Sequence, residues 1–191
     1  MIKTYAMMME ELSEYGAPAN KLGRMVKEGS CTQIVKGLYE TEKATPGYLL
    51  AGSIYGPSYL SFDFALSKYG LIPEAVYVFT SATFEKKKAK KYSTPFGTFT
   101  YRDVPSAVYP NGIIYHREGD YIYQVATPEK AICDKLYTLP PVKNKKELFG
   151  LLFDDLRIDE IEFTKLDKQR LLRICETYHC TNMKMLAKMV R

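Results

Sequence analysis

No stretch of this chain is apolar over the roughly 18–20 residues that a bilayer-spanning helix needs, so a membrane-embedded role is not expected. The N-terminal run Met1-Ile-Lys-Thr-Tyr-Ala-Met-Met-Met meets Glu10 and Glu11 too soon to read as a secretory signal. Cysteine is scarce, and Cys31, Cys133, Cys175 and Cys180 have no framework spacing; this excludes a disulfide scaffold and fits a reducing cytoplasm. Histidine is scarcer still, with two residues. His116 has no recognisable serine–acid arrangement around it. Cys175 and His179, one helical turn apart, lack the second pair that a zinc site requires. Nor is there a phosphate loop, because Gly52-Ser-Ile-Tyr-Gly56 is not followed by the lysine that a P-loop needs. These absences leave no catalytic residue, cofactor site or metal site to assign, and the chain is expected not to be an enzyme.

What is present is enough apolar material for a real core: 46% of 191 residues are hydrophobic. The formal charge of +5 is modest but unevenly spread. Much of the excess lies in Lys86-Lys87-Lys88-Ala89-Lys90-Lys91, whereas the first 45 residues hold about as many acids as bases. Such a run attracts nucleic acid or another polyanion by counterion release. It also suits a solvated hairpin tip, where lysines discourage edge-to-edge sheet pairing.

The periodicity predicts an α+β chain in two parts, a winged helix-turn-helix-like module over 1–45 and a mixed α/β domain over 46–191. Ile2, Tyr5, Met8, Met9 and Leu12 share one face of a helix over 1–15, which Gly16 ends. Pro18 opens a second helix over Ala19–Lys27, with Leu22, Met25 and Val26 inside and Lys21, Arg24 and Lys27 outside. Two short strands then meet at Lys36-Gly37. Helix, helix and two-stranded wing is the order of a winged helix-turn-helix.

Thr41–Gly47 reads as the junction. Beyond it, Ser61 is placed to cap a helix carrying Phe62, Ala65, Leu66 and Tyr69 on one face; Gly70 and Pro73 end it. A buried strand follows over Ala75–Thr83. Thr94–Arg102 returns from the lysine excursion, and Ile113–His116 with Tyr121–Val125 brackets a hairpin turn at Gly119. Thr127-Pro128-Glu129 is a strong helix start. Mainly antiparallel pairing and C-terminal helices complete the domain, with Thr164 and Thr181 as caps. Tyrosines such as Tyr69, Tyr77 and Tyr101 fall on periodic positions and read as core or cross-strand packing.

Three blocks, taken together and in order, resemble the AbiE-type antitoxin family: Ile54-Tyr-Gly-Pro-Ser-Tyr-Leu-Ser through Ala65-Leu-Ser-Lys-Tyr-Gly-Leu-Ile-Pro-Glu74, Thr94-Pro-Phe-Gly-Thr-Phe-Thr-Tyr-Arg102, and Ala126-Thr-Pro-Glu-Lys-Ala-Ile-Cys-Asp-Lys-Leu-Tyr137. The resemblance covers roughly the middle half of the chain. It implies a cytoplasmic transcriptional autorepressor and antitoxin of a type IV toxin–antitoxin operon, active in abortive infection and antiviral defence. Its DNA-binding partner is the operator ahead of its own operon. Its functional partner is a nucleotidyltransferase-like toxin encoded nearby, with which no stable complex is expected. Operators of this kind are bound by dimers or by cooperative monomers. A full winged helix usually places three helices before the wing, and residues 1–29 hold two.

In this chain the DNA contacts fall on Lys21, Arg24, Lys27, Gln33 and Lys36 of the first module, supplemented by Lys86, Lys87, Lys88, Lys90 and Lys91. The alternative is a protein-interaction module that binds an acidic partner or the cognate toxin without reading DNA. A third reading, a two-metal nuclease, would draw on Asp154, Asp155, Asp159, Glu160 and Glu162, which sit in an amphipathic, surface-like context.

Overall fold

Thr4 splits what the apolar spacing reads as one helix over 1–15. Its hydroxyl accepts the Met7 amide at 3.3 Å and caps a helix that begins only at Tyr5. In the computed structural model, which describes residues 1–191, Ile2–Thr4 is therefore a strand, β1, followed by α1 (Tyr5–Glu11) and α2 (Pro18–Lys27). Strands β2 (Thr32–Val35) and β3 (Leu38–Glu40) form a hairpin, and β1 pairs antiparallel with the free side of β3. Met8, Leu12, Leu22, Cys31 and Tyr39 make a small core between this sheet and the two helices. Ile34 instead belongs to the main core, against which Ile2, Val35 and Leu38 also pack.

Glu40 closes that seam. Its buried carboxylate accepts from the Met1 ammonium, from the Glu42 amide at 3.0 Å and from the Tyr121 hydroxyl at 3.0 Å. Burial pushes the carboxyl pKa up, but these three donors outweigh it and hold the group below the usual carboxylate range. A depressed pKa in the folded state contributes stability above the unfolded value, which is lost as pH falls through the folded value. Glu40→Gln is thus expected to flatten the acid limb of a stability–pH profile; an acid limb as steep as that of the wild type would contradict this.

Residues 41–46 carry no helix or strand, and the chain re-enters regular structure through a 3₁₀ turn, Gly47–Leu50, and α3 (Ala51–Ile54). The main sheet contains β4 (Tyr59–Leu60), β5 (Val78–Thr83), β6 (Lys90–Thr94), β7 (Gly97–Asp103), β8 (Ile113–Glu118) and β9 (Tyr121–Ala126), in the order β6-β7-β5-β4-β9-β8. β4 has only two residues, yet it joins the halves by pairing antiparallel with β5 and parallel with β9. β5 and β7 are parallel, and the remaining pairs are antiparallel, so the fold is α+β around a mixed sheet. The pleat sends Tyr101 toward α3, where its hydroxyl donates to the Ala51 carbonyl at 2.7 Å. α4 (Phe62–Lys68) packs against α5 (Pro128–Tyr137), which also meets α8 (Lys168–Thr177) and α9 (Thr181–Val190). α6 (Lys145–Phe149), a π-type turn over Gly150–Asp155 and α7 (Glu160–Thr164) connect them.

Several local expectations give way to stronger partners. β5 starts at Val78 and not Ala75, and Tyr77, read as packed, is 85% exposed. Ser61 holds the cap position of α4 but donates its hydroxyl to Asp134 at 2.6 Å. Asp159 and Asp167, not Thr164, cap α7 and α8, because a carboxylate accepts the free amide and also meets the positive end of the helix dipole. Thr181 is the first residue of α9 and not its cap.

α5 is buried from Glu129 to Asp134, and two of its charges are wholly enclosed. Lys130 and Asp134 are both 0% exposed and lie one turn apart, with Nζ 3.4 Å from Oδ1. Lys130 donates to the Val108 carbonyl and the Tyr178 hydroxyl, each at 2.8 Å. Asp134 accepts from Tyr178, from Tyr59 at 3.0 Å and from Ser61 at 2.6 Å. The network thereby ties α5 to β4, α4, α8 and the loop before β8. Burial pulls the Lys130 ammonium down in pKa, against the pull of Asp134, and pushes both phenols well up, with Asp134 adding to the rise. No helix of the chain is long and apolar enough to cross a membrane.

Candidate nucleic-acid interface

Pro18 at the first turn starts α2, and the apolar trio Leu22, Met25 and Val26 turns toward the small core. The opposite stripe is exposed and consists of Asn20, Gly23, Arg24 and Lys27, at i, i+3, i+4 and i+7. Arg24 and Lys27 therefore stand where the sequence places them. Lys21 does not: it sits on the flank, half-buried, with its ammonium 5.2 Å from the centre of the Tyr15 ring. Asn20 and Gly23 carry no charge, but the spacing that turns Leu22 and Val26 inward already turns them outward.

Gly23 has no packing reason to be glycine. A Cβ built there would meet nothing within 4 Å. Glycine inside a helix is destabilising by roughly 0.5–1 kcal/mol relative to alanine, and close approach of the backbone to a ligand is one use that offsets this. Gly23→Ala is expected to raise the unfolding free energy by about that amount, which thermal unfolding checks.

The β2–β3 hairpin turns at Lys36-Gly37, where Gly37 takes a left-handed φ of 83° and its carbonyl accepts the Tyr5 amide at 2.8 Å. That bond fixes the tip to the start of α1. Lys36 is exposed at the tip, and Gln33 is exposed on β2. None of Arg24, Lys27 or Lys36 enters an ion pair within the chain.

The lysine run is not a hairpin tip. The tip between β6 and β7 is Pro95-Phe96, and residues 84–89 form the crossing that carries the chain past β7 to the sheet edge. Asp103 clamps this crossing, accepting from the Thr83 hydroxyl and the Lys87 amide, each at 2.6 Å. Glu85 and Lys87 are held at left-handed φ of 55° and 58°. Lys86 is spent internally, donating to the Gly56 carbonyl at 3.1 Å and lying 5.3 Å from the Tyr55 ring centre. Lys87 and Lys88 are exposed. Lys90 and Lys91 begin the edge strand and leave the sheet on opposite faces, opposite Tyr101 and Thr100 respectively.

Some of the other sequence candidates have structural partners. His116 stacks on Tyr123 with ring centres 5.4 Å apart. Cys175 is buried beside Cys133 at 3.9 Å between sulfurs, while His179 is exposed. Among the C-terminal acids, Asp159 caps a helix and Glu162 pairs with Lys165 at 2.6 Å. No three histidine, cysteine or acidic side chains converge as metal ligands.

Chemically, the α2 stripe offers an amide and a guanidinium one turn apart. Asparagine matches adenine N6/N7 and arginine matches guanine O6/N7 in the major groove, while Lys27 and Lys36 suit phosphates. No protein-family model matches the chain, and no curated protein is detectably similar to it in sequence.

Proposed function

We propose that the chain is an antitoxin and DNA-binding autorepressor of an AbiE-like operon, with a nucleotidyltransferase-like toxin encoded beside it. The observation that carries this reading is the α2 stripe Asn20, Gly23, Arg24 and Lys27, which faces solvent and serves no packing within the chain. Its setting supports the same reading. A strand, two helices and a β-hairpin lie in sequence, with β1 closing the sheet against β3, so α2 occupies the recognition position ahead of the wing. Arg24 and Asn20 read base edges; Lys27 and Lys36 hold the flanking phosphates; Lys87 and Lys88 add affinity independent of sequence.

The two activities separate experimentally. A reporter driven by the DNA upstream of the chain's own gene is repressed by the wild type and released by Arg24→Ala with Lys27→Ala. Co-expression with the neighbouring gene restores growth equally with either form, because neutralisation resides in the larger domain. An unrepressed reporter with the wild type overturns the repressor reading, and growth arrest in its presence overturns the antitoxin reading.

A further inference from the structure

Between the β6–β7 edge, α4 and α5 lies a cleft of about 400 Å³ whose lining is mainly polar. Its floor is two threonines in register, Thr80 on β5 and Thr100 on β7. Thr80 is committed: its hydroxyl donates to the Ser61 carbonyl at 2.6 Å and accepts the Phe64 amide at 3.0 Å. The Thr100 hydroxyl has no partner in the chain. Lys91, directly opposite Thr100, and Arg102, two residues along β7, leave the sheet on the same face as these threonines. Across the cleft stands Lys135 of α5, held by Asp63 of α4 at 2.6 Å. With Lys90 at the rim, the lining carries four cations against one carboxylate, and that carboxylate is already paired with Lys135. Lys91 and Arg102 have no acidic partner in the chain.

We infer that this cleft is a phosphate-binding site, with Arg102 and Lys91 as its charged donors and Thr100 as its hydroxyl donor. A planar guanidinium, an ammonium and a hydroxyl converging on one face match a group with several anionic oxygens. The cleft is of a size for a small phosphorylated molecule, and only three of its twelve lining residues are hydrophobic. The phosphate belongs either to such a free molecule or to a nucleic-acid backbone. The site uses no residue of α2, so it stands or falls separately from operator binding.

The test is calorimetric titration of the full chain with sodium tripolyphosphate, repeated with Arg102→Ala, Lys91→Ala, Arg102→Lys and the double control Lys87→Gln with Lys88→Gln. One equivalent is expected to bind. Each alanine variant weakens it about tenfold or more, as loss of a charged hydrogen bond implies; Arg102→Lys retains part of the affinity, and the control leaves it unchanged. Undetectable binding, or equal weakening by the control, overturns the site, the second outcome meaning diffuse charge attraction. Competition by a duplex oligonucleotide assigns the phosphate to nucleic acid, and its absence assigns it to a free molecule; both uphold the cleft. Unfolding temperatures of the variants close to wild type show that the fold is intact.

Discussion

Asp134→Ala is expected to lower the unfolding free energy by about 3–5 kcal/mol, because it strands the buried Lys130 ammonium without its counter-charge. Both side chains are 0% exposed, so neither charge can turn outward when its partner is removed. The same change orphans the hydroxyls of Tyr59 and Ser61, which donate to Asp134 at 3.0 and 2.6 Å. Domain stabilities commonly lie at 5–15 kcal/mol, on the order of a few multiples of this loss, so the variant should unfold at mild denaturant concentrations. Replacing the pair together, Lys130→Met with Asp134→Leu, removes both buried charges and should recover much of that loss. A denaturant titration of the three proteins checks the pattern. A double variant no more stable than Asp134→Ala would show that the hydroxyl partners, and not the stranded charge, dominate.

On operator DNA, affinity is expected to fall about a hundred-fold between 50 and 200 mM salt. Four cations assigned to phosphates, Lys27, Lys36, Lys87 and Lys88, are exposed and unpaired in the chain. At about 0.9 per neutralised phosphate, they give a log–log slope of roughly −3.5. Neutralising Lys87 and Lys88 should flatten that slope by about 2 while leaving sequence preference intact. Arg24→Ala should do the reverse, costing about 1–3 kcal/mol on the operator and little on other DNA. The signs of these two results distinguish a base-reading helix from a merely basic surface. A slope unchanged by loss of Lys87 and Lys88 would remove the crossing loop from the interface and leave the module alone on DNA.

Features decided within a few residues were legible in the sequence. The helix beginning at Thr127-Pro128-Glu129, the left-handed Gly70 after α4 and the turn at Gly119 depend on local backbone chemistry, and each forms where its residues place it. Features decided by distant partners were not. β1 exists because β3, some 35 residues on, offers it a ladder, and no local propensity in Ile2–Thr4 shows that. Ser61 looks like a cap until Asp134, on another element, claims its hydroxyl. Lys130 and Asp134 lie at i and i+4, and only tertiary packing encloses them. The candidate interface divides in the same way. Arg24, Lys27 and Lys36 are visible as cations at outward positions, whereas Gly23 gains meaning only once the space around it is seen to be empty. Arg102 closes a strand in the sequence and becomes half of a charged cleft when the sheet register sets Lys91 beside it.

Fluorescence anisotropy of the full chain on its own upstream DNA, against a scrambled duplex of equal length and composition, tests most directly whether α2 reads sequence. Near physiological salt the upstream duplex should bind about 10³-fold or more tightly than the scrambled one, and Arg24→Ala should cut that preference by about 5- to 150-fold. Equal affinity of the wild type for the two duplexes, or a preference undiminished by Arg24→Ala, would contradict a recognition role for this helix.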